Sequence, residues 1–204
     1  MSGRIQEDVA RLANVLATLK PVLPPVSVPC VRHHAGALLA DVALQAGVNY
    51  ATVVRPRVES ILQRFPSATT VSAFGQLVDQ LSVQRVLGWN HPEKGSRFTA
   101  LLRLCLLKGL DTVTDIADWV QLATARDELL MLRGIGKKSV DYMRALCGHE
   151  TIPVDRHWIR LVALAGVTSR EYDYTRMVIE RACREVGLPL HVADRGIWLL
   201  SQSC

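Results

Sequence analysis

Cysteine is scarce and scattered. The 204 residues hold five, Cys30, Cys105, Cys147, Cys183 and Cys204, with no two closer than 21 positions and no CxxC pair. That spacing excludes a zinc or iron–sulfur site built from neighbouring cysteines, and reads as reduced, mostly buried thiols. Aromatic residues make up only 5% of the chain. Uninterrupted apolar runs are also missing, and none approaches the ~20 residues that a membrane span needs. The first residues, MSGRIQEDVARL, place Glu7 and Asp8 where a secretory signal would be apolar, so export is not expected. Low complexity and internal repeats are absent too.

What is present is ordinary for a packed globular chain: 49% hydrophobic and 21% charged residues. A chain this long buries roughly 70% of its unfolded surface, so its core needs no staples. The net charge is +5 and the isoelectric point about 9.1, a mild lean toward a polyanionic partner. Residues 133–160 concentrate that lean. Arg133, Lys137, Lys138, Arg144, Arg156 and Arg160 stand there against Asp141, Glu150 and Asp155.

The hydrophobic period is close to 3.6 almost throughout, which predicts an all-α fold of ten or eleven helices. Val9, Leu12, Leu16 and Leu19 line a first helix. Pro21, Pro24, Pro25 and Pro29 then predict an extended linker, with Val26-Ser27-Val28 as its only β-like stretch. Further helices are expected over 36–46, 52–64, 70–77 and 81–87. Asn90-His91-Pro92 opens another, with Phe98, Leu101, Leu102 and Cys105 on its apolar face. Asp111-Thr112 starts the next. Residues 124–131 and 137–147 form a pair joined by a short turn, and helices over 156–165, 171–186 and 191–202 follow.

The chemistry-bearing stretch is Leu132-Arg133-Gly134-Ile135-Gly136-Lys137-Lys138-Ser139-Val140. It is not a dinucleotide fingerprint, because Ser139 stands where the third glycine belongs and no strand precedes it. It is not a P-loop, because Met131 and Lys138 occupy the positions of the first Gly and of the magnesium-binding Ser or Thr. What remains is helix, Gly-x-Gly turn, helix. Both glycines are expected to take backbone angles that other residues resist. The turn exposes amide groups at the start of the second helix, which suits a phosphate oxygen. A plain αα-corner with a glycine cap fits the same pattern.

Seventeen residues after Lys138 comes Val154-Asp155-Arg156-His157. The pairing of L-x-G-[VI]-G-x-K with V-D-x-H resembles the helix–hairpin–helix–GPD superfamily of base-excision DNA glycosylases, the group that contains endonuclease III. The matching positions are Leu132, Gly134, Ile135, Gly136, Lys138, Val154, Asp155 and His157. Leu44-Gln45-Ala46 and Gly88-Trp89-Asn90 resemble two further family turns. With only Cys183 and Cys204 after Cys147, the chain resembles the members without an iron–sulfur loop.

The resemblance implies two helical lobes. A six-helix barrel would span 37–136, and 1–36 with 137–204 would form the other lobe. The hairpin, 124–147, and Asp155 would line a catalytic cleft between them. It implies a monomer acting on double-stranded DNA that holds a damaged base or abasic site, without cofactor, metal or membrane. The location would be the bacterial cytoplasm, at the nucleoid, or a nucleus. Lys138 would attack the sugar carbon C1′ and form a Schiff base. The positive end of its helix, adjacent Lys137 and desolvation would all favour the neutral amine it needs. Asp155 would stabilise the oxocarbenium-like transition state.

Plainer roles stay open. Asp155 is also a good N-cap, and Lys138 a good phosphate contact. Gln45 either fills the gap left by an extracted base or simply ends a helix. Arg133 and Lys137 either approach phosphates, along with the amides of Gly134, Ile135 and Gly136, or face solvent. Trp89 and Asn90 line a base pocket or pack. His157 orients or packs, Tyr142 is core or rim, and His33-His34 is weighed as a metal pair without a third ligand. Two alternatives to the bifunctional enzyme remain: a monofunctional glycosylase with Asp155 activating water, and a non-catalytic DNA-binding module.

Overall fold

The computed structural model describes residues 2–23 and 33–201. Most of the expected proline-rich linker, Val26-Ser27-Val28, Cys30 and Cys204 lie outside them. The described residues form twelve α-helices and no strand. These are α1 (Ser2–Leu19), α2 (Ala35–Leu44), α3 (Arg55–Arg64), α4 (Val71–Leu81), α5 (Val83–Leu87), α6 (Pro92–Leu107), α7 (Val113–Val120), α8 (Ala123–Leu130), α9 (Lys137–Leu146), α10 (Arg156–Leu164), α11 (Tyr172–Glu185) and α12 (Leu190–Leu200).

Local signals account for most boundaries. Thr112 and Asp115 form a capping box at α7, where the side chain of each accepts from the other's backbone amide. Pro92 opens α6, where a missing N–H costs nothing. One expected helix, 52–64, is divided. Tyr50–Val54 is a π-helical turn, and α3 begins only at Arg55 with Pro56 in its first turn. The longer turn precedes the proline, whose ring and missing N–H disfavour a continuous α-helical ladder there.

The chain divides into two compact units. One comprises the described residues of Met1–Val28 and Glu150–Cys204, the other those of Pro29–His149. The resemblance implies a division at 136, which would place α9 with the C-terminal helices. In the structure α9 groups with the preceding helices, because Val140, Met143 and Leu146 are buried in the core that α2 and α6 build.

In the unit of Pro29–His149 every residue of α2 is buried, and α3, α4, α6 and α9 pack around it. The chain has only three phenylalanines, and all three meet near the start of α2. Phe74 meets Phe98 and Phe65 edge to face, with ring centroids 5.9 and 6.2 Å apart. Gly36 lies against the Phe74 ring, where a Cβ would come within 2.3 Å. His34 caps α2: its Nδ1 accepts from Ala37 N (3.1 Å) and its Nε2 donates to Phe65 O (3.1 Å). Both ring nitrogens are thus engaged, and the His33-His34 metal pair loses His34 as a ligand.

In the other unit α1 packs lengthwise on α11, with Val9, Leu12 and Leu16 in a core shared with Trp158, Val178, Ile179 and Cys183. Two buried polar contacts fix it. Tyr174 OH donates to Asp8 Oδ2 (2.7 Å), and Trp158 Nε1 to Asp194 Oδ1 (2.9 Å). Lys20 Nζ satisfies the Val186 and Gly187 carbonyls just past the end of α11 (2.7 and 3.1 Å).

Candidate active site

The hairpin consists of α8, a six-residue loop and α9. Gly134 has φ +83°, in the left-handed region that favours glycine. Gly136 differs from expectation. Its φ of −113° and ψ of 177° are extended values that any residue adopts. Its role is that of an N-cap: the Gly136 carbonyl accepts from Ser139 N (2.8 Å) and Val140 N (3.1 Å). Gly136 has no side chain to offer, and the first turn of α9 carries no side-chain cap bond. Between the two glycines, Ile135 is buried in the core and ties the loop down. Arg133 beside it is exposed.

Lys138 lies in that first turn, half-buried. Its Nζ donates to Gln45 Oε1 at 3.0 Å, joining residues 93 positions apart. Gln45 is the C-cap of α2 and only 7% exposed. A lysine ammonium can only donate, so the amide oxygen must face it. Gln45 Nε2 is then a buried donor with no partner among the described residues. In this conformation Gln45 turns toward Lys138 instead of projecting outward to fill a gap.

Two cations that sequence reasoning overlooked complete the arrangement. Lys94, 5% exposed, donates from Nζ to Leu44 O (2.8 Å) and to Ala46 O. Arg97, one turn later on α6, donates from Nη1 to Ala43 O (3.1 Å). Together they satisfy carbonyls left orphaned at the end of α2 and complement the negative end of its dipole. The Arg97 guanidinium also lies on Gly134, where a Cβ would fall 2.6 Å from Nη2. α6 therefore holds the end of α2 and the hairpin loop together. Burial brings the Lys94 ammonium down to about 8, and the charges of Arg97 and Lys138 add to the effect while Glu93 opposes it. The sequence offered little signal for this pair: a lysine and an arginine three apart on a helix usually point to solvent.

Behind Gln45 lies a buried carboxylate. Asp41 Oδ1 accepts from Tyr142 OH (2.8 Å) and Oδ2 from Tyr50 OH (3.0 Å). Its signal was visible as one aspartate in the apolar run AGALLADVAL. Trp89 lies nearby, partly buried, beneath the Arg57 guanidinium, which sits 4.6 Å from the ring centroid.

Asp155 belongs to the other unit and caps α10. Its Oδ1 accepts from His157 N (2.8 Å) and Trp158 N (3.2 Å). Ile152, Val154 and Trp158 are buried around it and fix the backbone on either side. Arg156 Nε donates to His157 Nε2 (3.4 Å), so its guanidinium is aimed at the imidazole. Arg144, counted with the basic stretch, pairs with Asp141 at 3.6 Å. Among the described residues no helix is long and apolar enough to cross a membrane.

Comparison of the chain with protein-family models, with curated proteins and with solved structures gives no match.

Proposed function

We propose that this protein is a base-excision DNA glycosylase that removes a damaged base from double-stranded DNA and cleaves the resulting abasic site through Lys138. The observation that carries the reading is the Lys138–Gln45 hydrogen bond. It joins the hairpin lysine, which the resemblance assigns to the sugar carbon, to Gln45, which the resemblance assigns to the gap left by the extracted base. The uncapped first turn of α9 and exposed Arg133 suit a phosphate backbone. The orphaned Gln45 Nε2 suits an acceptor atom of a nucleotide, since leaving such a donor unpaired costs roughly 1–3 kcal/mol.

In the proposed reaction the neutral Lys138 amine attacks C1′. The C1′–N bond breaks, and the base leaves with the electron pair and takes up a proton. The amine loses a proton as the C1′–O4′ bond opens, giving a Schiff base. Removal of a C2′ proton then expels the 3′ phosphate. The resemblance assigns Asp155, whose Oδ1 caps α10, to stabilising the cationic sugar. The protein would act as a monomer without cofactor, in a DNA-containing compartment.

The test is a panel of duplexes, each with one lesion or an abasic site, incubated with and without borohydride. A covalent adduct that disappears in Lys138→Ala supports the reading. Base release without an adduct, stopped by Asp155→Asn and not by Lys138→Ala, supports water activated by Asp155 instead. Salt-sensitive DNA binding with no product from any duplex leaves a binding module.

A further inference from the structure

Two hydrogen bonds join α2 to α9 as successive rungs. The first is Lys138 Nζ to Gln45 Oε1, at 3.0 Å. The second lies one turn back on α2 and one turn on along α9, where Tyr142 OH donates to Asp41 Oδ1 at 2.8 Å. Each helix advances four residues between the rungs, in opposite senses, so the spacing of the two bonds fixes the register of the pair. Asp41 is 1% exposed, and the Tyr50 hydroxyl, 3.0 Å from Oδ2, holds it from the other side. A carboxylate this deep persists only when its oxygens are bonded. A buried aspartate between two phenols is an expensive way to fill that space.

The geometry points to Asp41 and Tyr142 as positioning residues for Lys138: their rung sets α9 on α2 so that the lysine amine meets the Gln45 amide. Neither residue hydrogen-bonds to Lys138. The catalytic meaning rests on Lys138 being the reacting amine, but the positioning itself does not. Burial raises Asp41 to about 6, against the pull of both phenol hydrogen bonds. Below that pH the protonated acid accepts one phenol less readily and the rung loosens; above it the carboxylate takes both.

The charged groups that face this end of α2 are otherwise engaged. Lys94 and Arg97 of α6 bind the terminal carbonyls, Lys138 of α9 binds Gln45, and Arg57 of α3 donates to Val53 O. Asp79, the one charged residue of α4, is exposed, and Arg144 of α9 pairs with Asp141.

Brief reductive methylation of the full chain, read by peptide mass spectrometry between pH 5 and 8, tests this without DNA. The quantity is labelling of Lys138 relative to Lys137. In the wild type it should fall about fivefold as pH rises through 6, the factor one lost hydrogen bond gives. Tyr142→Phe should hold the ratio at its low-pH level throughout, and Asp41→Asn should remove the pH step. Gln45→Ala frees Lys138 directly, so Tyr142→Phe should add nothing to it. An unchanged ratio and step in both Tyr142→Phe and Asp41→Asn overturns the positioning role. Borohydride trapping on an abasic duplex, run on the same proteins, separates the two claims. A labelling step with no wild-type adduct counts against the glycosylase reading and leaves the positioning standing. An adduct with no labelling change does the reverse.

Discussion

The two hairpin glycines should respond unequally to alanine, and the difference can be worked from the structure. At Gly134 the left-handed φ of +83° makes alanine cost roughly 1–2 kcal/mol. The new Cβ would also sit 2.6 Å from Arg97 Nη2 and 2.7 Å from Nε. The guanidinium is the flexible end of a side chain and would swing away. That forfeits its bond to Ala43 O, worth about 1 kcal/mol. Lower entropy of the unfolded chain returns ~0.4–1 kcal/mol. The net cost is about 2 kcal/mol, the sum of those three contributions. At Gly136 the φ is −113° and no heavy atom lies within 4 Å of the would-be Cβ. Alanine is a poorer N-cap there by roughly 0.5–1 kcal/mol, and the same entropy gain offsets most of it. Denaturant midpoints, with amide exchange of α9 peptides to place the effect in the right unit, measure both. In an Arg97→Ala background Gly134→Ala should keep only its backbone strain, about 1 kcal/mol. Equal costs at the two glycines, or an undiminished cost without Arg97, would refute the reasoning.

Three further outcomes are expected. Lys94→Met leaves the Leu44 and Ala46 carbonyls without their donor and should destabilise the unit by about 2–3 kcal/mol at pH 7, measured by the same denaturation. Between its ordinary value of 3.8 and about 6, Asp41 holds a proton in the folded chain that the unfolded chain has released. Stability should therefore fall as pH rises through that window, by roughly 3 kcal/mol in all, and Asp41→Asn should abolish the slope. His34 runs the other way. Burial holds it below its ordinary 6.5, so the folded chain lacks a proton that the unfolded chain carries, and stability should fall as pH drops through that value. His34→Asn keeps a capping acceptor and should flatten that limb of the pH curve.

The helices were legible because the 3.6-residue period and the capping residues act over a few neighbours. Phe98, Leu101, Leu102 and Cys105 form the buried face of α6 that their spacing predicts, and Thr112 starts α7 as its side chain dictates. The hairpin and the N-cap at Asp155 were legible for the same reason, since glycines and caps punctuate the chain locally. The contrast between Gly134 and Gly136 was not, because backbone angles in a loop are set by what packs on it, here buried Ile135 and the guanidinium of Arg97.

Sequence alone determined that the chain is helical and where a lysine, an aspartate and a glycine turn stand along it. Tertiary structure decided that Lys138 meets Gln45, that Lys94 and Arg97 close the end of α2, and that Asp41 takes both phenols. Those contacts span from 9 residues, between Asp41 and Tyr50, to 101, between Asp41 and Tyr142. No local pattern encodes them, because each depends on which helix faces the core determines, and at what register.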